Sequence, residues 1–401
     1  MKLSIRLFLF TALFLSFCPR FCFSAPLPLE ISKEMERIPG KKEWGVSFAK
    51  LREELSQKYG TEFYFLLNYQ QQEILYSKHD TGNSRMVWYW NLEFSQRLWK
   101  GALLNLELEV DKNKGVDKLI PTFSMFNSNS GENASLYIPR LLLTQNLYED
   151  KLQLSAGKLD LSDWFDCNNF ANSADIQFLS DALTNSLTIP FPAKGLGAMA
   201  SFTPNNWFYL QAGASTANAV STKVGLSNGF NSTFFINEFG FTPKLKGLKG
   251  NYRFIFNLNR EKLPLIDDEG EKRSQFGFSI SFDQEIVKDK LGLFLRYGFA
   301  DRRVYEIADF WSCGLQLNEP LAGRKYDFIG FGVAQSLTGE NYRKSDEPNI
   351  AHSETMYEFY YSYHVNNAFI LTPNLQVVVN PYADKTSDCA AVCGLRGMLS
   401  F

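Results

Sequence analysis

From Arg85 to Leu98 apolar and polar side chains take turns. Met86, Trp88, Trp90, Leu92, Phe94 and Leu98 share one parity; Arg85, Asn91, Glu93, Ser95 and Arg97 share the other, together with Val87 and Tyr89. Successive side chains of a strand point to opposite faces, so this segment makes a strand with one oily and one wet face. The pattern returns along the chain. Leu104, Leu106, Leu108 and Val110 oppose Asn105, Glu107 and Glu109, and Phe276, Phe278, Ile280 and Phe282 oppose Gln275, Ser279, Ser281 and Asp283. Repeated around a closed sheet, this pattern gives a barrel that is apolar outside and polar inside, as in a membrane pore.

Composition narrows the class without deciding it. The chain has 401 residues, 45% hydrophobic and 15% aromatic, with a mean hydropathy of -0.21. That is too polar for a bundle of membrane helices, and beyond the N-terminus no apolar run reaches the roughly 18 residues a spanning helix needs. The 36 Phe, 18 Tyr and 7 Trp suit strands and the aromatic girdles of a membrane barrel. A soluble sandwich or solenoid uses aromatics as well, so composition leaves both open. A net charge of -2 gives no electrostatic case for nucleic acid.

The N-terminus reads as an address. Lys2 and Arg6 precede the apolar run Leu7 to Phe17, and the small residues Ser24 and Ala25 follow, so residues 1–24 are expected to be a secretory signal peptide. Cys18 loosely resembles a lipoprotein cysteine, but bulky Phe17 stands where a small residue is wanted. Cys167, Cys313, Cys389 and Cys393 then remain in an oxidising compartment. On one straight strand Cys389 and Cys393 would sit about 13 Å apart at about 3.3 Å per residue, beyond disulfide reach. Free thiols are the expectation, and a bridge would need Cys389 in a bent loop. His79, His352 and His364 are scattered, so neither a metal site nor a cofactor is expected.

Residues 25–60 are charged, and Phe48, Leu51, Leu55 and Tyr59 recur at helical spacing. This predicts a short amphipathic helix near Ser47–Lys58 within a periplasmic segment that precedes the barrel at 61–401. Sixteen candidate strands follow, at 62–76, 85–98, 102–112, 135–147, 150–158, 195–203, 206–215, 233–242, 248–259, 274–284, 290–300, 309–318, 326–337, 353–365, 368–380 and 389–401. Their connections alternate. Short ones include 99–101, 148–149, 204–205, 243–247 and 366–367, whereas 113–134, 159–194, 216–232, 260–273, 338–352 and 381–388 are long. Outer-membrane barrels have short periplasmic turns and longer outside loops. With the N-terminus in the periplasm, every long segment falls outside, and the even count returns the C-terminus to the periplasm. A soluble sandwich has no reason to keep that parity. The expected fold is an all-β transmembrane antiparallel barrel of about 16 strands with a short N-terminal helix.

Particular residues then carry a resemblance. Glu354-Thr355-Met356-Tyr357, Leu371-Thr372-Pro373-Asn374-Leu375-Gln376, Asn380-Pro381, Gly394-Leu395-Arg396 and terminal Phe401 follow in order. So do Gly157-Lys158-Leu159-Asp160, Phe165, Asn169-Phe170-Ala171-Asn172 and Gln177-Phe178-Leu179, with Trp44-Gly45 and Leu51-Arg52 near the start. In order and spacing these resemble the carbohydrate-selective porins of the OprB family, with Asn374 where an Asp is more usual. The stretch 215–350 is matched only as alternating strands. The resemblance implies a sixteen-stranded outer-membrane channel for mono- or oligosaccharides, often trimeric, with a terminal Phe like the one barrel-assembly machinery recognises. The implied partners are small hydrophilic solutes and outer-membrane lipid.

The 159–194 connection is the longest, and a structureless loop of that length is uncommon, so it is expected to be functional or folded inward. Asp160, Asp163 and Asp166 are spaced three apart. Turn-forming acids are the plainer reading than a calcium site, because the EF-hand order and its glycine are missing. Asp160 and Asp166 are alternatively sugar hydrogen-bond partners, and Lys158 a lumen-facing cation. Trp164 and Phe165 are candidates for stacking on a sugar ring. The polar parity of the strands supplies Glu107, Arg253, Arg296 and Glu358 as lumen residues beside Arg85, Glu93 and Arg97. Arg253 and Arg296 stand out because both sit mid-strand, where an unpaired charge facing lipid would be costly. Mixed acids and bases can offer donors and acceptors to sugar hydroxyls, or pair with each other and hold the wall. Ser362 and His364 share a strand face, but no acid or oxyanion donor can be argued around them, so no catalysis is expected. Three functions stay open: a sugar porin, a general or cation-preferring porin, and a barrel that displays loops as an adhesin or antigen.

Overall fold

The protein is described by a computed structural model covering residues 54–78, 81–223, 232–267, 270–345 and 349–401. The expected signal peptide and most of the charged N-terminal segment lie outside the described residues. Of the expected helix, residues 54–59 are described and are helical. Among the described residues no helix is long and apolar enough to cross a membrane.

Sixteen antiparallel strands close a barrel. They are β1 Thr61–Tyr76, β2 Ser84–Trp99, β3 Ala102–Lys112, β4 Tyr137–Leu147, β5 Leu152–Leu159, β6 Gly195–Asn205, β7 Phe208–Thr216 and β8 Thr233–Phe241. They continue as β9 Leu248–Pro264, β10 Lys272–Val287, β11 Leu291–Ala300, β12 Ile307–Asn318, β13 Phe328–Thr338, β14 Ser353–His364, β15 Phe369–Val379 and β16 Cys389–Ser400. A two-residue strand, Lys244–Leu245, pairs back on Leu248 and Lys249. The turn between them places Lys246 and Gly247 at φ 55° and 83°, the left-handed pair that joins twisted strands most tightly. β16 pairs with β1, from Leu66↔Ser400 to Tyr76↔Ala391, and Phe401 exchanges both main-chain bonds with Phe65 (2.8 and 3.0 Å). Closure leaves no open edge, the condition for strands to stand in lipid.

Alternation sets which face meets lipid. Leu293, Leu295, Phe331, Phe359 and Leu375 are exposed on the outside, while Arg296, Ser336, Glu358 and Gln376 on the opposite parity are 0% exposed. In β2 the expected split holds, since Trp88 and Trp90 pair with Tyr69 and Leu67 outside whereas Tyr89 and Asn91 pair with Asn68 and Leu66 inside. Among the described residues Cys167, Cys313, Cys389 and Cys393 form no disulfide. Cys313, Cys389 and Cys393 stand opposite outward-facing Leu295, Val379 and Leu375.

The connections keep the expected parity, with one adjustment. β9 and β10 run on to Pro264 and from Lys272, so the expected long connection 260–273 shrinks to 265–271. The two strands continue their ladder beyond the apolar band, where polar residues hide the strand from a reading based on alternation.

Candidate functional site

The inner parity is not uniformly polar. Ile74, Val87, Phe234, Ile236, Ile255, Phe294, Phe310, Met356, Tyr360 and Val378 all point inward and are buried. Something apolar must cover them, and two connections do so. Segment 113–136, between β3 and β4, and segment 160–194, between β5 and β6, both fold into the barrel. Val116, Ile120 and Phe126 of the first, and Phe178, Ala182, Leu183 and Leu187 of the second, join the inward side chains of β11–β16 in one apolar cluster. Leu161, Trp164, Phe165 and Ile189 join Phe234, Ile236 and Ile255 in another. Gly332 makes room for this: a Cβ there would stand 2.8 Å from Leu183 and 2.9 Å from Phe178.

Main-chain groups of the folded-in segments take their partners from wall side chains. Glu358 accepts the N–H groups of Leu179 (2.7 Å) and Ser180 (2.9 Å). One turn of the pleat away, Glu354 accepts those of Phe123 (2.9 Å) and Ser124 (2.8 Å). Arg296 donates Nε to the Asp166 carboxylate (2.8 Å) and its remaining donors to the carbonyls of Leu183, Ala171, Thr184 and Asp166 (2.7–3.1 Å). Arg396 donates to the carbonyls of Gln177 (2.6 Å) and Ala174. The segments also hold each other: Ser128 N–H donates to Leu179 O (2.8 Å) and Ser180 Oγ to Ser124 O (2.8 Å). Buried main-chain groups demand partners, and here the wall supplies them.

Between this plug and the wall of β2–β4, here called the gap, several inward side chains keep partial exposure. Tyr89 and Asn68 donate to Asp175 of the plug at one side. Arg140 joins Asp163 of the plug at the other, and also pairs with Glu107 (3.3 Å) and Glu93 (4.0 Å). Lys194 pairs with Glu109 (3.2 Å), to which Tyr137 donates (2.6 Å). Burial works against a charged Lys194, yet Glu109 and Glu107 hold its pKa well above the ordinary lysine range. The side chains of Arg140, Glu93, Asp163 and Lys194 are 15, 18, 23 and 27% exposed, so a solute in the gap can reach them. The set alternates acceptors with donors, and its carboxylates outnumber its cations.

The family profile described as the carbohydrate-selective porin, OprB family, matches residues 80–401. The chain belongs to that family. Its barrel is that of an outer-membrane protein. Among curated proteins it is 25% identical to porin AaxA of Chlamydia felis over 265 residues, which is 66% of this chain and 57% of that protein. It is 26% identical to porin AaxA of Chlamydia pneumoniae over 289 residues, 71% and 64% of the two chains. The match therefore spans less than two thirds of the length of these relatives. The high-pH structure of OprB from Pseudomonas putida superposes with a TM-score of 0.75 at 20% identity, over 88% of this chain and 97% of that one.

In this OprB-family barrel the residues singled out from sequence sit as follows. Glu107 lies at the gap. Asp160 caps the short 3-10 turn Leu161–Asp163, accepting Ser162 N–H (3.0 Å), the turn-forming role expected of it. Arg253 and Arg296 do face inward, but both are covered. Arg253 is held by Asp283 at 2.8 Å and Glu238 at 4.0 Å, and Arg296 by the plug. Glu358 is likewise buried beneath the plug. Arg296 and Glu358 anchor the plug, and Arg253 pairs with Glu238 and Asp283, which accept the plug N–H groups of Asp166 and Asn169. Trp164 and Phe165 correct the stacking expectation: they are 7% and 0% exposed, packed on Phe234 and Ile255, so neither ring is free for a sugar. Lys158 corrects the lumen expectation. It stands opposite Leu141 and Leu196 on the outward parity, and its ammonium goes to the carbonyls of Ser221 and Lys223. Arg140, Asp163, Asp175 and Lys194 were not singled out for the gap. The apolar residues on the inner parity of β8–β15 were the available sign of a plug, and they locate the gap by exclusion.

Proposed function

We propose that this porin lets small hydrophilic solutes, saccharides among them, diffuse across the outer membrane through the gap between its plug and the β2–β4 wall. The observation that carries the reading is the row of partly exposed Glu93, Arg140 and Asp163, with buried Glu107 paired to the same arginine, where acceptors and donors lie side by side. Such a row can exchange hydrogen bonds with sugar hydroxyls. Family membership supports saccharides as the solute class, and nothing in the site calls for catalysis. Liposome swelling with a mono- to trisaccharide series tests the reading. Swelling should exceed that of empty liposomes and fall with sugar size; no permeation above empty liposomes would overturn the transport reading in favour of a barrel that only displays loops.

The excess of carboxylates favours a second reading, preference for cationic solutes. Reversal potentials in a KCl gradient distinguish the two, since a cation-preferring gap shifts them towards the potassium equilibrium potential and ionic current there is insensitive to added sugar. A trimeric assembly belongs to the same proposal, and light scattering of the detergent-solubilised protein tests it.

A further inference from the structure

An unassigned feature is a cleft at the long-loop end of the barrel, away from the gap. β2 outruns β3 there: the β2–β3 ladder ends at Trp88↔Lys112, while β2 stays paired with β1 as far as Ser84↔Glu73. Ser84–Val87 therefore have no strand neighbour on one side, and a cavity of about 410 Å³ opens beside them. Arg85, Lys114 and Lys118 line it, with Asn113, Asn133 and Met86. Among the described residues none of the three cations is in an ion pair; Arg85 donates only to the carbonyl of Ser84. Two of the carboxylates that flank the cleft in sequence are engaged by main-chain groups. Asp111 accepts the N–H groups of Glu132 (2.9 Å) and Ala134 (2.7 Å), and Asp117 accepts that of Phe126 (2.6 Å).

We propose that this cleft binds the phosphate of a lipid headgroup in the leaflet at the long-loop end. Three cations converging on a polar cavity suit a phosphate, which accepts several charge-assisted hydrogen bonds at once. The neighbourhood points to a lipid as its source. Met86 belongs to the outward parity, is 42% exposed and lines the cleft, with Trp88 next in the same row; Arg85, on the inner parity, lines it too because the β2 edge is unpaired there, so the cleft borders the outward face. A ligand seated there has its phosphate on Arg85, Lys114 and Lys118 and its hydrocarbon along Met86 and Trp88.

Native mass spectrometry and thermophoresis of the detergent-solubilised protein test this with three probes: diphosphorylated lipid A, the same lipid after phosphatase treatment, and inorganic phosphate. The wild-type protein should bind the phosphorylated lipid at least tenfold more tightly than either other probe. The variant Arg85→Ala/Lys114→Ala/Lys118→Ala should lose that tenfold preference while keeping the heat-modifiable gel mobility of a folded barrel. If the variant does not fold, Lys118→Glu alone should weaken the lipid and leave the dephosphorylated form unaffected. Equal binding of the lipid with and without its phosphates, undiminished binding by the folded variant, or binding of inorganic phosphate as tight as that of the lipid would each overturn the proposal.

Discussion

Arg296 is a charge with no exposed surface, and it is tolerable because each of its three guanidinium nitrogens donates to a buried acceptor. Removing it leaves Asp166 buried without its partner, a loss that costs about 3–5 kcal/mol for a broken internal pair. Arg296→Met should therefore lower the thermal unfolding midpoint of the detergent-solubilised barrel and make 160–194 susceptible to protease added at the long-loop end; an unchanged midpoint with a resistant segment would show that the apolar cluster alone holds it. Asp117 presents the opposite case. One carboxylate oxygen accepts Phe126 N–H and the other is buried without a partner. Burial pushes its pKa up to about 7, against the pull of the Phe126 and Asn127 N–H groups. The folded state then holds a proton that the unfolded chain releases near pH 4, so stability from this group is full below that pH and is lost as pH rises to about 7. Hydrogen exchange of the 115–126 amides, compared at each pH between wild type and Asp117→Asn, should match at pH 4.5 and show more protection in the variant at pH 8. Equal protection at pH 8 would mean that Asp117 ionises without cost.

The plug segments have little regular structure of their own, a 3-10 turn at Gly115–Lys118, another at Leu161–Asp163 and one helical turn at Asp181–Thr184. They are held as elements by the wall, through shape as much as through polar bonds. Phe178 and Leu183 lie so close to the wall at Gly332 that a side chain there would displace them. Gly332→Leu should expel this part of the plug and raise single-channel conductance several-fold in planar bilayers, with larger polyethylene glycols gaining entry; unchanged conductance would mean that the plug does not set the bore. The contrast between strands and plug explains what could be read from sequence. A strand between lipid and a lumen writes its environment into alternate side chains, so Met86 to Leu98 and Phe276 to Phe282 announced both element and orientation. The plug is fixed through main-chain N–H and carbonyl groups on Glu354, Glu358, Arg296 and Arg396, and those groups are the same in every residue. Only the wall half of each contact leaves a trace, as a charge or an apolar ring on the inner parity. Lys158 misled for a related reason: its parity was outward from the start, but a membrane-facing lysine made sense only once the carbonyls of Ser221 and Lys223 were seen to receive it.

At the scale of the whole molecule, the barrel decides how much lumen exists and the plug decides which part of its wall a solute meets. With β8–β16 covered, the accessible charge is that of β2–β4 and the plug edge, where Glu93, Glu107 and Asp163 all converge on Arg140. Among the described residues Arg140 is the cation that pairs with all three, so the field in the gap turns on it. Arg140→Ala leaves three carboxyl groups facing one narrow passage without their cation, and those that stay ionised raise the local cation concentration. The ratio of potassium to chloride permeability from reversal potentials should rise about tenfold or more, falling back at high salt as the charges are screened. Glu107→Gln should move the ratio the other way without widening the bore. Sugar flux in swelling assays should fall in both variants if solutes pass beside Arg140, because each removes a hydrogen-bonding group from the same row. Reversal potentials indifferent to both substitutions would place the conducting path elsewhere, and with it the solute-binding wall.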